Sequence, residues 1–184
     1  VPVTALIRDY ALGGGYESAL ACDRIIATKG ARIGLPEVGL GILPGGGGTQ
    51  NLTRRVGLGR AAEIILGARV ISAKKPYVDA IVIGFDPAVA LEPSRVVALL
   101  DAYGARKKLV RAAHTAGKLE YIRYFWALAK VRMGWLLKRL HLPASFDCAR
   151  RAIFTGYGKS IEEGMAEERR MIYAAFQTKD AEEG

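Results

Sequence analysis

Ala11-Leu12-Gly13-Gly14-Gly15-Tyr16-Glu17 is the stretch on which the fold turns. Before it, Val3–Arg8 is rich in β-branched and apolar residues and reads as a strand. After it, Glu17–Cys22 reads as a helix that opens near Gly15, so Ala11–Gly15 is expected to be a turn. Three glycines between a strand and a helix leave backbone amides unobstructed by any Cβ, at the positive end of the helix dipole. Two uses fit: a tight turn with no ligand, or an oxyanion hole. One such donor lowers a barrier by about 3–4 kcal/mol.

A second glycine-rich stretch runs Gly34-Leu35-Pro36-Glu37-Val38-Gly39-Leu40-Gly41-Ile42-Leu43-Pro44-Gly45-Gly46-Gly47-Gly48-Thr49-Gln50. Glu37 is the only charge between Arg32 and Arg54. A lone carboxylate among Gly, Leu, Ile and Pro is poorly solvated, which raises its pKa and makes it a better base near neutrality. The blander alternative is a glutamate that caps a turn or meets an arginine. Glu17 is flanked by Tyr16, Ala19 and Leu20. Two carboxylates beside glycine turns suggest an acid–base pair across one reacting centre, although their sequence separation sets no distance. A phosphate cradle fails on pattern. No Lys-Ser or Lys-Thr follows Gly45–Gly48, and neither cluster completes G-x-G-x-x-G.

Outward from these turns, the chain divides by charge and glycine. It has 184 residues, 51% hydrophobic and 24% charged, enough for a packed core and too apolar for compositional disorder. Of 22 glycines, 15 lie in residues 1–84, where tight turns are therefore concentrated. Net charge is +4 over residues 1–84, +8 over 85–158 and −3 over 159–184. Cys22 and Cys148 are too few for a disulfide scaffold or a four-thiolate zinc site, and His114 and His141 lack metal-ligand spacing. No secretory-type leader is visible at Val1-Pro2-Val3, which reads as a strand already under way, so the chain is expected to begin inside a fold.

Further expected elements are a strand at Arg24–Thr28, irregular chain over Ile33–Leu43, short helices at Thr49–Val56 and Arg60–Leu66, and a strand at Ile81–Ile83. Helices follow near Pro93–Tyr103, Lys118–Leu140, Ser145–Phe154 and Ser160–Thr178. Strands interleaved with helices, then helices alone, predict an α/β core over residues 1–84 with a helical region over 85–184. Lys118–Leu140 carries one wide apolar face: Leu119, Ile122, Phe125, Trp126, Ala129, Met133, Leu136, Leu137 and Leu140. Its expected use is a surface or subunit-interface helix with a basic side; contact with an anionic membrane surface is the second use. No RNA-binding aromatic signature or zinc finger accompanies the charge, so nucleic acid is not an expected partner.

The two glycine stretches, with Ala19-Leu20-Ala21-Cys22-Asp23 between them and Arg54, Gly57, Ala61–Leu66 and Ile71-Ser72-Ala73 after them, resemble the enoyl-CoA hydratase/isomerase (crotonase) superfamily. The resemblance is specific over residues 1–84. Beyond, Ile161-Glu162-Glu163-Gly164 through Gly184 resembles the family's C-terminal helices, and Lys118–Leu140 with Pro143 is similar to the hydratase portion of multifunctional fatty-acid oxidation proteins. The implied fold is the later part of a ββα-spiral core followed by a helical tail. The implied activity is hydration of an enoyl-CoA thioester. Gly14 would give an oxyanion-hole amide, Glu17 and Glu37 would hold a water that adds across the double bond, Gly45 would help position that water, and Tyr16 would line the acyl pocket or the core. Members that only isomerise commonly lose the first glutamate, so two glutamates favour a hydratase. Isomerase, hydrolase, decarboxylase and dehalogenase chemistries share the scaffold, and a catalytically idle binding fragment is the non-enzyme alternative.

The resemblance implies no cofactor, coenzyme A being part of the substrate. It implies a homo-trimer or hexamer, and a cytoplasmic or mitochondrial-matrix location. In the family pattern, a second oxyanion amide and much of the CoA pocket come from a segment upstream of the position of Val1. A departure falls at Lys74-Lys75-Pro76-Tyr77, where Pro76 is expected to break a helix.

Overall fold

The computed structural model describes residues 3–28, 30–72, 118–138 and 141–178. Strand β1 (Thr4–Ile7) runs parallel to β3 (Arg24–Ala27), with Thr4 opposite Arg24 and Ile7 opposite Ala27. Strand β2 (Tyr10–Leu12) runs parallel to β4 (Arg32–Gly34), and β4 pairs antiparallel with β5 (Val70–Ser72). Parallel neighbours need a crossover, and helix α1 (Gly14–Ala21) supplies it between β2 and β3. Each chain segment changes sheet at a short link. The Thr28 N–H donates to Ile7 O at 2.9 Å and the Arg32 N–H donates to Asp9 O at 2.7 Å, so the two links stay paired.

Helices α2 (Gly48–Val56) and α3 (Leu58–Ile65) follow, then α4 (Lys118–Leu137), α5 (Ala144–Gly156) and α6 (Ile161–Phe176). One core joins them: Tyr16 and Leu20 of α1, Ile33 of β4, Leu52, Ile65, Phe146, Ile153 and Met171 belong to the same buried cluster. A Ser160/Glu163 capping box opens α6. Arg55 donates to the Leu20 and Cys22 carbonyl oxygens and so caps the end of α1.

The mixed α/β fold with a helical tail matches the expectation, but several local expectations do not. Ala11 and Leu12, expected within the turn Ala11–Gly15, belong instead to strand β2, because their edge finds β4. Within the supposedly irregular Ile33–Leu43, Arg32–Gly34 is a strand and Glu37–Leu40 a 3₁₀ turn. Cys22 is half-buried at the end of α1. The expected elements at Ile81–Ile83 and Pro93–Tyr103, the Pro76 break, His114 and the boundary at residue 84 lie outside the described residues.

Helix α4 leaves much of its wide apolar face outside the packed core. Its packed stripe is Tyr124, Ala127 and Val131, whereas Trp126, Leu136 and Leu137 of the wide apolar face are about three-quarters exposed among the described residues. Close approach decides this. A methyl group at Gly59 of α3 would lie 2.9 Å from Arg123 Cβ, so α3 and α4 meet backbone to backbone, where bulky residues do not fit. Glu120 adds a polar tie by accepting from the Leu58 N–H at 3.1 Å, and the Trp135 indole N–H donates to Leu66 O. Among the described residues no helix is long and apolar enough to cross a membrane.

Candidate active site

The first glycine turn has a backbone that only glycine adopts comfortably. Gly13 sits at φ 54°, ψ −132°, immediately before α1. Its N–H donates to Gly34 O at 3.0 Å, fastening the turn to β4, and its carbonyl accepts the Tyr16 and Glu17 N–H groups. A methyl group at Gly13 would lie 3.3 Å from Glu37 Oε1, so the Glu37 side chain rests against this turn. Gly14 is exposed, a methyl there would meet nothing within 4 Å, and its N–H donates to no oxygen among the described residues. That amide is an unpaired donor at the start of a helix.

The second glycine turn uses its amides differently. Glu17, buried in the first turn of α1, accepts with Oε1 from the Gly46 N–H at 2.8 Å and the Gly48 N–H at 2.7 Å. Glu168, buried on α6, accepts with Oε1 from the Gly47 N–H at 2.7 Å. Its Oε2 accepts from the Thr49 N–H at 3.0 Å and from the Thr49 hydroxyl. Four successive amides thus alternate between two carboxylates. The N–H groups of a first helical turn have no partner within the helix, and negative charge is favoured there. The Gly45 N–H, one residue earlier, donates to nothing among the described residues and is exposed.

Glu37 is the third carboxylate. It is 8% exposed, meets no arginine, and its Oε2 has no hydrogen-bond partner among the described residues. Burial pushes its pKa up to about 7; its own backbone N–H offsets part of this, and repulsion from Glu17 and Glu168 adds to it. Burial likewise raises Glu168, with its Thr49 and Gly47 donors pulling back and Glu17 pushing further up.

Tyr16 is fully buried in the core beside Glu17, its hydroxyl without a partner, and burial holds it above the ordinary phenol range. Of the residues singled out from sequence, Glu17 and Glu37 are close enough to repel, Gly14 and Gly45 present free amides, and Tyr16 packs inside. Glu168 escaped the sequence reading. Its signal was periodic: Gly164, Glu168, Met171 and Ala175 form the buried stripe of α6, with one carboxylate among small and apolar residues.

A second polar cluster fixes α5 and the link from α5 to α6 against α2. Gln50 is buried; its Nε2 donates to Thr49 Oγ1 at 2.9 Å and to Ala152 O at 3.0 Å. Arg54 donates to Gln50 Oε1 and to the Lys159 and Ser160 carbonyl oxygens. A methyl group at Gly156 or Gly164 would fall 2.2 Å from Gln50 Oε1, so both glycines are required by contact.

The model of the family described as "Enoyl-CoA hydratase/isomerase" matches residues 1–116. This chain belongs to that family. A probable enoyl-CoA hydratase of Mycobacterium bovis is 33% identical over 183 residues, covering 100% of this chain and 57% of the relative. A short-chain-enoyl-CoA hydratase of Clostridium acetobutylicum is 46% identical over 118 residues, 64% of this chain and 42% of the relative. A peroxisomal fatty acid β-oxidation multifunctional protein of Arabidopsis thaliana is 42% identical over 122 residues, 64% of this chain and 16% of the relative. The chain thus spans little more than half the length of the mycobacterial relative. Among solved structures, an enoyl-CoA hydratase from Mycobacterium avium subsp. paratuberculosis has a TM-score of 0.55 at 20% identity, covering 100% of this chain and 60% of that one. At that identity the likeness concerns the fold.

Proposed function

We propose that this family member is an enoyl-CoA hydratase that adds water across the α,β double bond of an enoyl-CoA thioester. One observation carries the proposal: Glu17, anchored by two amides, and Glu37, whose buried Oε2 has no partner among the described residues, lie close enough to repel, and Glu37 rests against Gly13 in the turn that carries the Gly14 amide. Hydration needs a proton removed from water as its oxygen bonds Cβ, and a proton delivered to Cα. Two carboxylates around one water serve both transfers, each worth about 10²–10⁴ in rate. Glu37, titrating near neutrality, is suited to exchange a proton at working pH. As Cβ is attacked, negative charge gathers on the thioester oxygen, and the Gly14 N–H, at the positive end of α1, is the group on this chain to meet it. The exposed Gly45 N–H, with no acceptor among the described residues, takes the part of orienting the water in this reading.

No cofactor enters this scheme, coenzyme A arriving with the substrate. Assembly into trimers or hexamers, and a cytoplasmic or mitochondrial-matrix location, belong to the same proposal; the exposed apolar side chains of α4 support the assembly. The test is loss of enoyl thioester absorbance over a panel of enoyl-CoA chain lengths, with the product identified. A 3-hydroxyacyl-CoA product is expected. A shifted double bond would convert the assignment to isomerase, free coenzyme A to hydrolase, and absence of any turnover by a folded protein would end it.

A further inference from the structure

We propose that Glu168 is a positioning residue of this site: from α6, it holds the turn that carries the Glu17 anchors, and its carboxylate acts on Glu37 through that same cluster. The proposal rests on the hydratase reading for its kinetic consequences, though not for its geometry. The alternating pattern is the first support. Gly46 and Gly48 point their amides at Glu17, while the intervening Gly47 and the following Thr49 point theirs at Glu168. Neighbouring amides of one turn cannot move independently, so the position of one carboxylate constrains the other. Gly47 has φ 97°, a left-handed conformation, and its N–H is the one Glu168 Oε1 accepts. Releasing Glu168 frees the turn to relax, and the Glu17 anchors go with it.

The second support is burial. Glu168 is 1% exposed, and all three of its polar contacts lie on this one turn. A buried carboxylate is costly unless paired or fully hydrogen-bonded, and an apolar residue on the same α6 stripe would carry no such cost. The third support is charge. The ionisable groups that act on Glu37 among the described residues are Glu17 from α1 and Glu168 from α6. From α5, the facing group is the Ser145 hydroxyl, which donates to Val38 O. Glu168 and Glu17 both push Glu37 in the same direction, toward protonation.

Three variants test this in the full chain: Glu168→Gln, Glu168→Asp and Thr49→Val. The first readout is the ¹³C titration of the side-chain carboxyls, which requires no turnover. Removing the charge in Glu168→Gln is expected to lower the Glu37 midpoint, partway only, because burial is the larger cause of its elevation. Glu168→Asp keeps the charge but not the reach, so the Glu37 midpoint should stay close to the parent's while kcat falls by about tenfold or more with KM nearly unchanged. Thr49→Val removes one donor and should show a smaller kcat loss of the same kind. In the Glu168→Gln pH profile, whichever limb reports Glu37 should move to lower pH. An unshifted Glu37 midpoint in folded Glu168→Gln, or parental kcat in Glu168→Asp, overturns the proposal. If Glu168→Gln does not fold, Glu168→Asp and Thr49→Val decide by the kcat criterion. If the parent turns over no enoyl-CoA, the hydratase reading fails, and the carboxyl titration still decides whether Glu168 acts on Glu37.

Discussion

Two glycine-rich turns open two helices, and they are put to opposite uses. Before α1, the Gly14 amide is left free and exposed, with open space around its Cα. Before α2, the amides of residues 46–49 are all taken by buried carboxylates. The same composition and dipole thus yield one end that can receive an incoming negative charge and one that already holds two. The difference comes from what packs opposite. α1 and α6 each place a glutamate against the second turn, whereas at the first the Gly13 N–H is taken by Gly34 O and the Gly14 N–H has no acceptor among the described residues. A helix N-terminus is therefore an anion site only where the fold leaves it vacant.

The largest effect expected from breaking this contrast is catalytic. Glu37→Gln should lower kcat by about 10²-fold or more with little change in KM, because it removes a proton-transfer group but keeps the shape. Steady-state kinetics on a folded variant checks it; parental kcat would remove Glu37 from the chemistry.

The next effect separates the two turns by sterics. A methyl at Gly48 would sit 2.7 Å from Glu17 Oε1 and 2.8 Å from Pro44 Cβ, whereas one at Gly14 would meet nothing within 4 Å. Gly48→Ala should therefore cost about 2–3 kcal/mol of stability through forced displacement. Gly14→Ala should change stability by under about 1 kcal/mol, in the stabilising direction if α1 profits from the better helix former. Paired denaturation curves measure both, and equal losses would contradict the contrast.

The carboxylates themselves should differ under isosteric replacement. Glu17 takes both donors on Oε1, so Gln can keep both hydrogen bonds. Glu168 uses both oxygens, so Gln must turn an NH₂ toward an N–H. Glu168→Gln should thus be less stable than Glu17→Gln by about 1–3 kcal/mol, the cost of an unsatisfied buried donor.

The smallest effect concerns pH. Glu37 has a folded pKa of about 7, above its ordinary value. A raised acid holds its proton in the folded state after the unfolded state has lost it, so stability falls as pH rises from about 4.5 to about 7. Glu37→Gln removes that penalty. The variant should gain on the parent across this window, by on the order of 2 kcal/mol above pH 7, and lose the advantage below about pH 4. A constant gap across the range would show that Glu37 titrates normally.

Much of the site was legible from local pattern. Glu37 stood alone in an apolar run, Glu17 followed three glycines, and Gly14 lay where a strand becomes a helix. Glu168 was hidden because its sequence neighbours are charged, and only the spacing of Gly164, Met171 and Ala175 marks it as inward-facing. Strands β4 and β5 were hidden for another reason. Each is three residues long, too short for alternation to show, and exists because its edge finds a partner. Which residues of α4 pack was hidden because apolar area indicates what would profit from burial, whereas the close backbone approach at Gly59 selects the buried stripe of Tyr124, Ala127 and Val131.

By itself the sequence determined the turns, the helices and the two isolated glutamates, because glycine freedom, helix propensity and charge spacing act over a few residues. Only the tertiary structure decided which amides stay open, which carboxylate meets which N–H and how far Glu37 is lifted. Those outcomes depend on solvent exclusion and contacts between groups as far apart as Gly47 and Glu168, which no local pattern encodes.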